Sequence, residues 1–381
     1  MKKIMAISLA MLMGLNVIGC ANQTANNEQP ETKPETNTEQ EQTSDDKAPE
    51  QPADSSSSED APAETSDGGI AGKRIAIVVK STGNPYNERQ IAGFEEAANE
   101  LGAQVIVKAP DSPTVEAQLA MVDELIIQKV DGIAIAGNDP DALQNTLQKA
   151  MDAGIPVVSF DSAVNAASRI AHINQADTKK IGETLVEAAF DMSGGSGKFA
   201  ILSATSQAAN QNMWIEAMQE TLKDPKYASL ELVKIAYGDD LRDKSTTETE
   251  GLLKSYPDLK VIVAPTTVGI AATAKVIQDK GLSDQIKVTG LGLPSEMAEY
   301  IENGTTPYMY LWNPIDVGYL TGYTLASLIE SSITGVENDK FVAGRLGEYT
   351  VTADPSGGTE VLLGAPFKFD ADNIGDWKTV Y

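Results

Sequence analysis

The stretch RIAIVVKSTGNPYNERQIAGFEEAANELGAQVIV, residues 74–107, decides the fold of this chain. Residues 74–79 form a short and mostly apolar run, which is typical of a parallel strand that is buried on both faces. Residues 85–100 then carry apolar side chains at helical spacing, and residues 104–107 return to the strand pattern. The apolar face of this predicted helix consists of Ile91, Phe94, Ala97 and Ala98. The stretch therefore predicts a β-α-β unit with two parallel strands.

The same alternation continues along the chain and then starts a second time. A further helix, strand, helix and strand are predicted at 114–128, 132–136, 140–153 and 156–160. The second series has predicted strands at 198–202, 230–235, 261–263 and 287–291, and predicted helices at 210–222, 243–255, 269–280 and 315–333. Alternating strands and helices predict parallel, doubly wound sheets. Because roughly 310 folded residues exceed one typical domain, the sequence predicts the α/β class with two doubly wound parallel-sheet lobes.

The first nineteen residues have the pattern of an export signal. Two lysines precede an apolar segment, residues 4–18, that is too short for a comfortable membrane span. The segment ends in Val-Ile-Gly-Cys at residues 17–20, which resembles a bacterial lipobox. We therefore expect a lipoprotein signal peptide at 1–19 and lipid attachment at Cys20, which is the only cysteine of the chain. An ordinary signal peptide followed by a chance cysteine is the alternative.

The segment after the signal, residues 20–70, is expected to be a disordered acidic tether. Residues 21–70 carry 13 acidic residues and two lysines, a charge of −11, and contain almost nothing to bury. A lipid at one end and a folded body at the other predict an extracytoplasmic protein that is lipid-anchored to the outer face of the cell membrane. The whole chain has 29 basic and 55 acidic residues, a net charge of −26. Such a body repels nucleic acid and anionic headgroups, so neither is expected as its partner.

Scarce cysteine and histidine limit the chemistry that the folded body can perform. A single cysteine excludes a disulfide within one chain, and zinc sites and Ser-His-Asp triads draw on residues that are nearly absent here. The lone histidine, His172, is expected to be a packing or surface residue. Residues 193–197 are glycine-rich but precede a strand, so they predict a turn rather than a phosphate site. We expect no cofactor, no metal and no catalytic residue; the enzyme alternative is a sugar hydrolase with Asp139 and Asp161 as its two carboxylates.

Polar and aromatic side chains follow the predicted strands, where open parallel sheets bind their ligands. Carboxylates and amides provide hydrogen-bond partners for adjacent hydroxyls, and aromatic rings provide flat apolar faces. The mixture therefore predicts a small polyol ligand. The candidate ligand-binding residues are Lys80, Asn84, Tyr86, Asn138, Asp161, Asn210, Gln211, Pro265, Thr266, Thr267, Trp312 and Asn313. Trp214 lies on an apolar helix and fits either the core or the pocket.

Several of these loops belong to stretches that resemble a known family. Quoted as they stand, they are NDPD at 138–141, VSFDS at 158–162, NQADT at 174–178, ANQN at 209–212, APTTVGI at 264–270, GLGLPSEM at 290–297 and LWNP at 311–314. The body from about Gly72 to Tyr381 resembles the type I periplasmic binding proteins of sugar importers, and most of all their rhamnose-binding branch. The resemblance implies a monomer that clamps a sugar between two lobes and delivers it to the permease of an ABC importer.

The resemblance also implies where the chain passes between the lobes. Crossings are expected near 161–162, 291–293 and 311–313. The N-terminal lobe would then comprise residues 71–161 and 292–311, and the C-terminal lobe residues 162–291 and 312–350. The last segment, residues 351–381, would run along the hinge.

A sister group, the autoinducer-2-binding proteins, provides an alternative ligand, a small furanosyl diol. Lys80, Asp161, Gln211 and Pro265 match the pocket positions of that group. Asn210 replaces its aspartate, and Thr267 replaces its small alanine. Both departures agree with the rhamnose-type pattern. A further alternative is a ligand-sensing lipoprotein that presents its ligand to a membrane receptor instead of a permease.

Overall fold

The structure is a computed structural model, and it describes residues 69–381. The expected signal peptide, Cys20 and all but the last two residues of the expected tether lie outside the described residues. None of the helices in residues 69–381 is long and apolar enough to cross a membrane.

The described residues alternate between strands and helices, as predicted. The strands are β1 (Arg74–Val78), β2 (Gln104–Lys108), β3 (Gly132–Ile135), β4 (Val157–Phe160), β5 (Ala171–Asn174), β6 (Gly197–Ser203), β7 (Leu230–Tyr237), β8 (Leu259–Ala264), β9 (Lys287–Gly290), β10 (Tyr308–Leu311), β11 (Lys340–Val342), β12 (Glu348–Thr350), β13 (Thr352–Ala353), β14 (Thr359–Leu362) and β15 (Phe367–Asp370). The helices are α1 (Pro85–Glu100), α2 (Val115–Gln128), α3 (Gln144–Asp152), α4 (Thr178–Met192), α5 (Ala209–Thr221), α6 (Arg242–Ser255), α7 (Thr267–Asp279), α8 (Pro294–Glu302), α9 (Pro314–Ile329) and α10 (Ile374–Trp377).

Two main sheets organise the chain. The first has the order β13-β14-β5-β4-β3-β1-β2 and is parallel except for the pair β13–β14. The second has the order β7-β6-β8-β9 and is parallel throughout. β10 lies beside β9 through a bridge between Leu291 and Tyr310, and β15 pairs with β10 in the antiparallel sense. The expected α/β class with two parallel-sheet lobes is confirmed.

Two asparagine–proline pairs start the helices that cover the first sheet. The Asn84 side-chain oxygen accepts a hydrogen bond from the Tyr86 amide at 3.0 Å, and Pro85 occupies the first turn of α1. Asn313 does the same for α9, where its side-chain oxygen accepts from the Ile315 amide at 3.0 Å. Such caps satisfy amides that a helix start leaves unpaired. The two helices pack directly on each other.

Glycines bring α1 and α9 into backbone contact. A Cβ atom at Gly93 would lie 1.9 Å from the Ile315 carbonyl oxygen, and one at Gly318 would lie 1.9 Å from the Gln90 carbonyl oxygen. Neither position can carry a side chain without moving a backbone, because atoms cannot approach that closely. The close packing fixes α9, and with it the segment that precedes α9, against α1.

The expected lobe boundaries differ from those in the structure. β5 pairs with β4, so the chain leaves the first sheet after Asn174 and not at residues 161–162. α8 packs on α7 and α10, which places residues 292–311 with the second sheet, whereas α9 packs on α1. The expected boundaries came from the resemblance, and the local spacing of α9 could not correct them, because it shows which face of the helix is buried but not which sheet buries it.

The structure thus passes between the sheets at three places. They are residues 175–177, 312–313 and 363–366. The second agrees with the expected crossing at 311–313, and the third falls within the segment expected along the hinge. We call residues 69–174 and 314–362 the first lobe, and residues 178–311 and 367–381 the second lobe.

Candidate functional site

A cavity lies between the two lobes. It is lined by Lys80, Asn84, Tyr86, Asn87, Asp161, Asn210, Gln211, Trp214, Asp240, Pro265, Thr266, Thr267, Leu291, Leu311 and Trp312. Ten of the twelve candidate residues from the sequence are among them.

The two remaining candidates support the cavity from behind. Asn138 donates its side-chain N–H to the Lys80 carbonyl oxygen at 3.0 Å, and its own amide donates to Gln118 Oε1 at 2.8 Å. Asn313 caps α9 and does not line the cavity. Both side chains hold backbone that carries lining residues, so the strand-end rule found their neighbourhood but not their role.

Lys80 connects the two lobes across the cavity. It follows β1, and its Nζ donates to Asn210 Oδ1 on α5 at 3.2 Å. Asn210 in turn donates its Nδ2 to Asp161 Oδ1 at 3.4 Å. Only 8% of Lys80 and 5% of Asp161 are exposed. Side chains from both lobes therefore share one hydrogen-bond network.

Asp161 receives a second chain of donors from the aromatic side of the cavity. Trp312 Nε1 donates to Tyr86 OH at 2.6 Å, and Tyr86 OH donates to Asp161 Oδ1 at 3.2 Å. Burial raises the pKa of Asp161 above its ordinary value, although the Lys80 charge and the Tyr86 hydrogen bond oppose this shift. Asp161 has a left-handed backbone, with φ at +57°, directly after β4. Its carboxylate is thus turned into the cavity and carries a charge that the protein only partly compensates.

The second lobe contributes Gln211 with a fixed orientation. Its Oε1 accepts from Ser203 Oγ and from the Ala204 amide, both at 2.7 Å. This arrangement leaves the two N–H groups of the side-chain amide as donors. Gln211 therefore adds a positioned donor to the lining opposite the first lobe.

Asp240 is a lining residue that the sequence reasoning missed. It lies three residues beyond the end of β7, and its Oδ1 accepts from Thr266 Oγ1. Burial raises its pKa above the ordinary value, and the Lys80 charge opposes the shift. The other candidates were chosen because they follow the carboxyl ends of predicted strands. The same criterion applied to β7 would have found Asp240. Asn87, Leu291 and Leu311 were missed as well.

Aromatic and aliphatic side chains form one wall of the cavity. The Trp214 and Trp312 ring centroids are 5.6 Å apart, and those of Tyr86 and Trp312 are 6.5 Å apart in an edge-to-face arrangement. Trp214 is only 3% exposed yet lines the cavity, so it belongs to both the core and the pocket. A lining that combines apolar ring surfaces with polar groups suits a ligand ring that has C–H faces and hydroxyl edges.

The cavity does not bring together Asp139 and Asp161, the two carboxylates of the sugar-hydrolase alternative. Asp139 is absent from the lining, and its Oδ1 accepts the amides of Asp141 and Ala142 at 3.0 and 2.9 Å. His172 is buried, its Nδ1 is 2.9 Å from Ser159 Oγ, and burial lowers its pKa to about 3. In residues 69–381, no group of three or more His, Cys, Asp or Glu side chains is placed to hold a metal ion.

Comparison with known proteins extends these observations. A sequence model of the periplasmic binding protein domain matches residues 75–332. A solute-binding protein of an ABC transporter from Clostridium phytofermentas, solved with bound L-rhamnose, is 48% identical, covers 82% of this chain and 99% of its own, and has a TM-score of 0.80. A sugar ABC transporter protein from Actinomyces odontolyticus is 40% identical over 80% of this chain and 97% of its own, with a TM-score of 0.65.

A more distant structure shares only the fold. LsrB from Clostridium saccharobutylicum, solved in complex with AI-2, is 21% identical, covers 80% of this chain and 99% of its own, and has a TM-score of 0.75.

Proposed function

This chain belongs to the periplasmic binding protein family, and from that premise we propose that its interlobe cavity binds L-rhamnose or a similar small polyol. The family consists of binding proteins of transporters, so the chain is not an enzyme. The ligand would be delivered to the permease of an ABC importer. Lipid attachment at Cys20, a tether to residue 70 and a monomeric body complete the proposal.

The observation that carries the proposal is the network across the cavity. Lys80 and Asp161 come from the first lobe, and Asn210 comes from the second. These groups supply both donors and acceptors, and Trp214 and Trp312 add apolar ring surface to the same lining. A deoxy sugar presents the complementary surface, because its hydroxyls need such partners and its methyl group does not.

The relative with bound L-rhamnose favours a rhamnose-type ligand over a furanosyl diol. It shares 48% of its residues with this chain, whereas the AI-2 complex shares 21% and supports the fold alone. Asn210 and Thr267, which depart from the autoinducer-2 pattern, both line the cavity. Autoinducer-2 therefore remains the second ligand to test.

The proposed mechanism is closure of the two lobes on the ligand. Contacts such as Lys80–Asn210 exist only when the lobes approach each other. A ligand that touches both lobes binds the closed form better, and so shifts the population toward it. The permease would recognise the closed form; a membrane receptor would do so if the protein serves as a sensor.

Isothermal titration of the purified protein with L-rhamnose and with autoinducer-2, in borate-free buffer, tests the ligand. We expect one-to-one binding of L-rhamnose. Binding of autoinducer-2 with no response to L-rhamnose would contradict the sugar assignment and support signal uptake. No heat with either ligand would contradict both.

A further inference from the structure

We propose that Asp240 is a specificity-determining residue that, together with Asp161, restricts the cavity to uncharged polyols and excludes sugar acids and sugar phosphates. This inference rests on the proposed function, because it concerns the same cavity. It goes further by naming the chemical class of the ligand, uncharged polyols, and a residue of the second lobe that selects this class.

Asp240 lines both the cavity and an outer groove beside it. The groove is lined by residues of the first lobe, among them Asn84, and by Asp240, Leu241, Arg242 and Val268 of the second lobe. Only Asn84 and Asp240 line both spaces. The cavity and the groove therefore share one side chain from each lobe.

The backbone around Asp240 is held in a special conformation. Asp239 and Asp240 both have left-handed backbones, with φ at +53° and +52°. Aspartate tolerates this region better than most residues, but two in succession are unusual. The amides of Gly238 and Asp239 donate to the Ser203 and Ala204 carbonyls at 2.9 Å, which ties the turn to β6. Backbone strain of this kind is retained where it positions a functional group.

The two adjacent carboxylates have different surroundings. Asp239 forms an ion pair with Lys244 on the surface, where both side chains are about two-fifths exposed. Asp240 instead accepts from Thr266, which lines the cavity. The turn thus directs one carboxylate to solvent and the other to the ligand space, and Asp239 provides a matched control for Asp240.

The charges around the cavity are unbalanced. The lining holds one lysine, Lys80, and two aspartates, Asp161 and Asp240. The charge of Asp240 acts to raise the pKa of Asp161, and the charge of Lys80 acts to lower the pKa of both. Lys80 therefore already serves two carboxylates, and it also donates to Asn210.

This imbalance selects the ligand by its charge. Ionised carboxylates only accept hydrogen bonds, so they need ligand groups that donate. Hydroxyls donate, whereas a carboxylate or phosphate on the ligand would bring a third negative charge beside a single ammonium group. Like charges that are buried together repel strongly because the surrounding dielectric is low. Uncharged polyols are therefore accepted, and anionic sugars are rejected.

The test compares three sugars with the same ring stereochemistry: L-rhamnose, L-mannose and L-mannuronate. These carry a methyl, a hydroxymethyl and a carboxylate group at the same carbon. Calorimetric titration of the unaltered protein should favour L-mannose over L-mannuronate by at least 100-fold. Asp240→Asn should reduce this preference at least tenfold, and Asp239→Asn should leave it unchanged. An unaltered preference in Asp240→Asn, or equal binding of both sugars by the unaltered protein, would overturn the inference.

A second variant guards against a folding defect. Asp240→Gly removes the carboxylate, and glycine adopts the left-handed backbone without strain. It should reduce the preference in the same way as Asp240→Asn. If both variants fold and keep the original preference, Asp240 does not determine ligand charge.

A measurement without ligand separates failure of this inference from failure of the proposed function. Carboxyl-carbon NMR of the ligand-free protein should show that the pKa of Asp161 falls in Asp240→Asn and not in Asp239→Asn. If the unaltered protein binds neither L-rhamnose nor L-mannose, the proposed function is contradicted, while the NMR titration still decides whether Asp240 acts on the cavity. An unchanged pKa of Asp161 would overturn that role.

Discussion

Two regions of this molecule bury charged side chains. They differ in how far the surrounding protein satisfies those charges with hydrogen bonds and ion pairs. In the first lobe, Arg169 and Asp354 form an ion pair at 2.6 Å, with side chains only 2% and 6% exposed. Arg169 also donates to the Gly357 carbonyl at 3.0 Å, and Ser356 donates to Asp354. Although burial acts to raise it, these hydrogen bonds hold the pKa of Asp354 below its ordinary value.

The interlobe cavity is the contrasting case. Its carboxylates, Asp161 and Asp240, have raised pKa values because burial outweighs the partners that the protein supplies. The carboxylate of Asp354 is thus satisfied by the protein, although Arg169 Nε has no hydrogen-bond partner, whereas the cavity keeps acceptor capacity that a ligand can use. The difference indicates that a structural charge and a binding charge can be told apart by how far the protein satisfies them.

The largest effect is expected from breaking the Arg169–Asp354 pair. Arg169→Met leaves Asp354 buried without its partner and should lower the free energy of unfolding by about 3–5 kcal/mol, measured by urea denaturation. Lys340→Met is the control, because Lys340 and Glu348 form an exposed pair at 3.1 Å that contributes about 0.5 kcal/mol or less. A similar loss of unfolding free energy in the two variants would show that a buried ion pair contributes no more to stability than an exposed one.

Removing a cavity charge should cost binding instead of stability. Asp161→Asn keeps an acceptor and tolerates the left-handed backbone, and it removes a carboxylate that burial disfavours. We expect L-rhamnose to bind about 100-fold more weakly, which corresponds to about 2.7 kcal/mol. The urea midpoint of the ligand-free protein should not fall. Asp139→Asn is the control and should bind L-rhamnose normally, because Asp139 lies outside the cavity. If Asp161→Asn lost stability but not L-rhamnose binding, Asp161 would be a structural charge and not a binding charge.

The aromatic wall should show both effects in smaller amounts. Trp312→Phe removes the N–H that donates to Tyr86, which should lower the free energy of unfolding by about 1 kcal/mol and weaken L-rhamnose binding roughly fivefold. Trp377→Phe is the control, because Trp377 packs against Phe369 and Tyr381 away from the cavity. It should reduce stability and leave the dissociation constant unchanged. Weakened binding in both variants would point to a general loosening of the fold.

The smallest effect concerns pH. The pKa of Asp161 is raised and that of Asp354 is lowered, so acidification from pH 7 protonates Asp161 first. L-rhamnose binding should weaken as the pH falls from 7 to 5, while the Arg169–Asp354 pair stays ionised. A raised pKa means that the ligand-free fold gains stability as Asp161 takes up its proton, and the lowered pKa of Asp354 means that its contribution is lost only at lower pH. Calorimetry at both pH values measures the change, and Asp161→Asn should show a smaller one, because only Asp240 then remains to take up a proton in the cavity.

Much of the fold follows from local patterns in the sequence. The runs of β1, β3 and β4 are almost fully buried, as their apolar composition predicts. α4 was not predicted, although Ile181, Leu185 and Val186 have helical spacing and Asp177 caps its start. β5 was not predicted either, because Ala-His-Ile-Asn is too short and too polar to stand out. Its partners β4 and β14 are distant in the chain and give it its place.

The candidate site was predicted to a similar degree. The rule that ligands lie at the carboxyl ends of parallel strands identified ten lining residues, because it depends only on where each strand ends. The rule does not state which way a side chain points. Asn138 and Asn313 therefore turned out to be supports, and Asp240 faces the cavity only because two residues in succession have left-handed backbones.

The sequence by itself determined the α/β class, the two series of strands and the loops that carry polar groups. These depend on short-range periodicity and on residue chemistry. Only the tertiary structure decided which lobe contains α9 and where the chain passes between the lobes. It also decided which buried carboxylates lack a full set of partners in the protein. Those properties depend on contacts between residues far apart in the chain, such as Gly93 against Ile315 and Lys80 against Asn210. A local pattern records that a face must be buried, but the partner that buries it is fixed only when the whole chain packs.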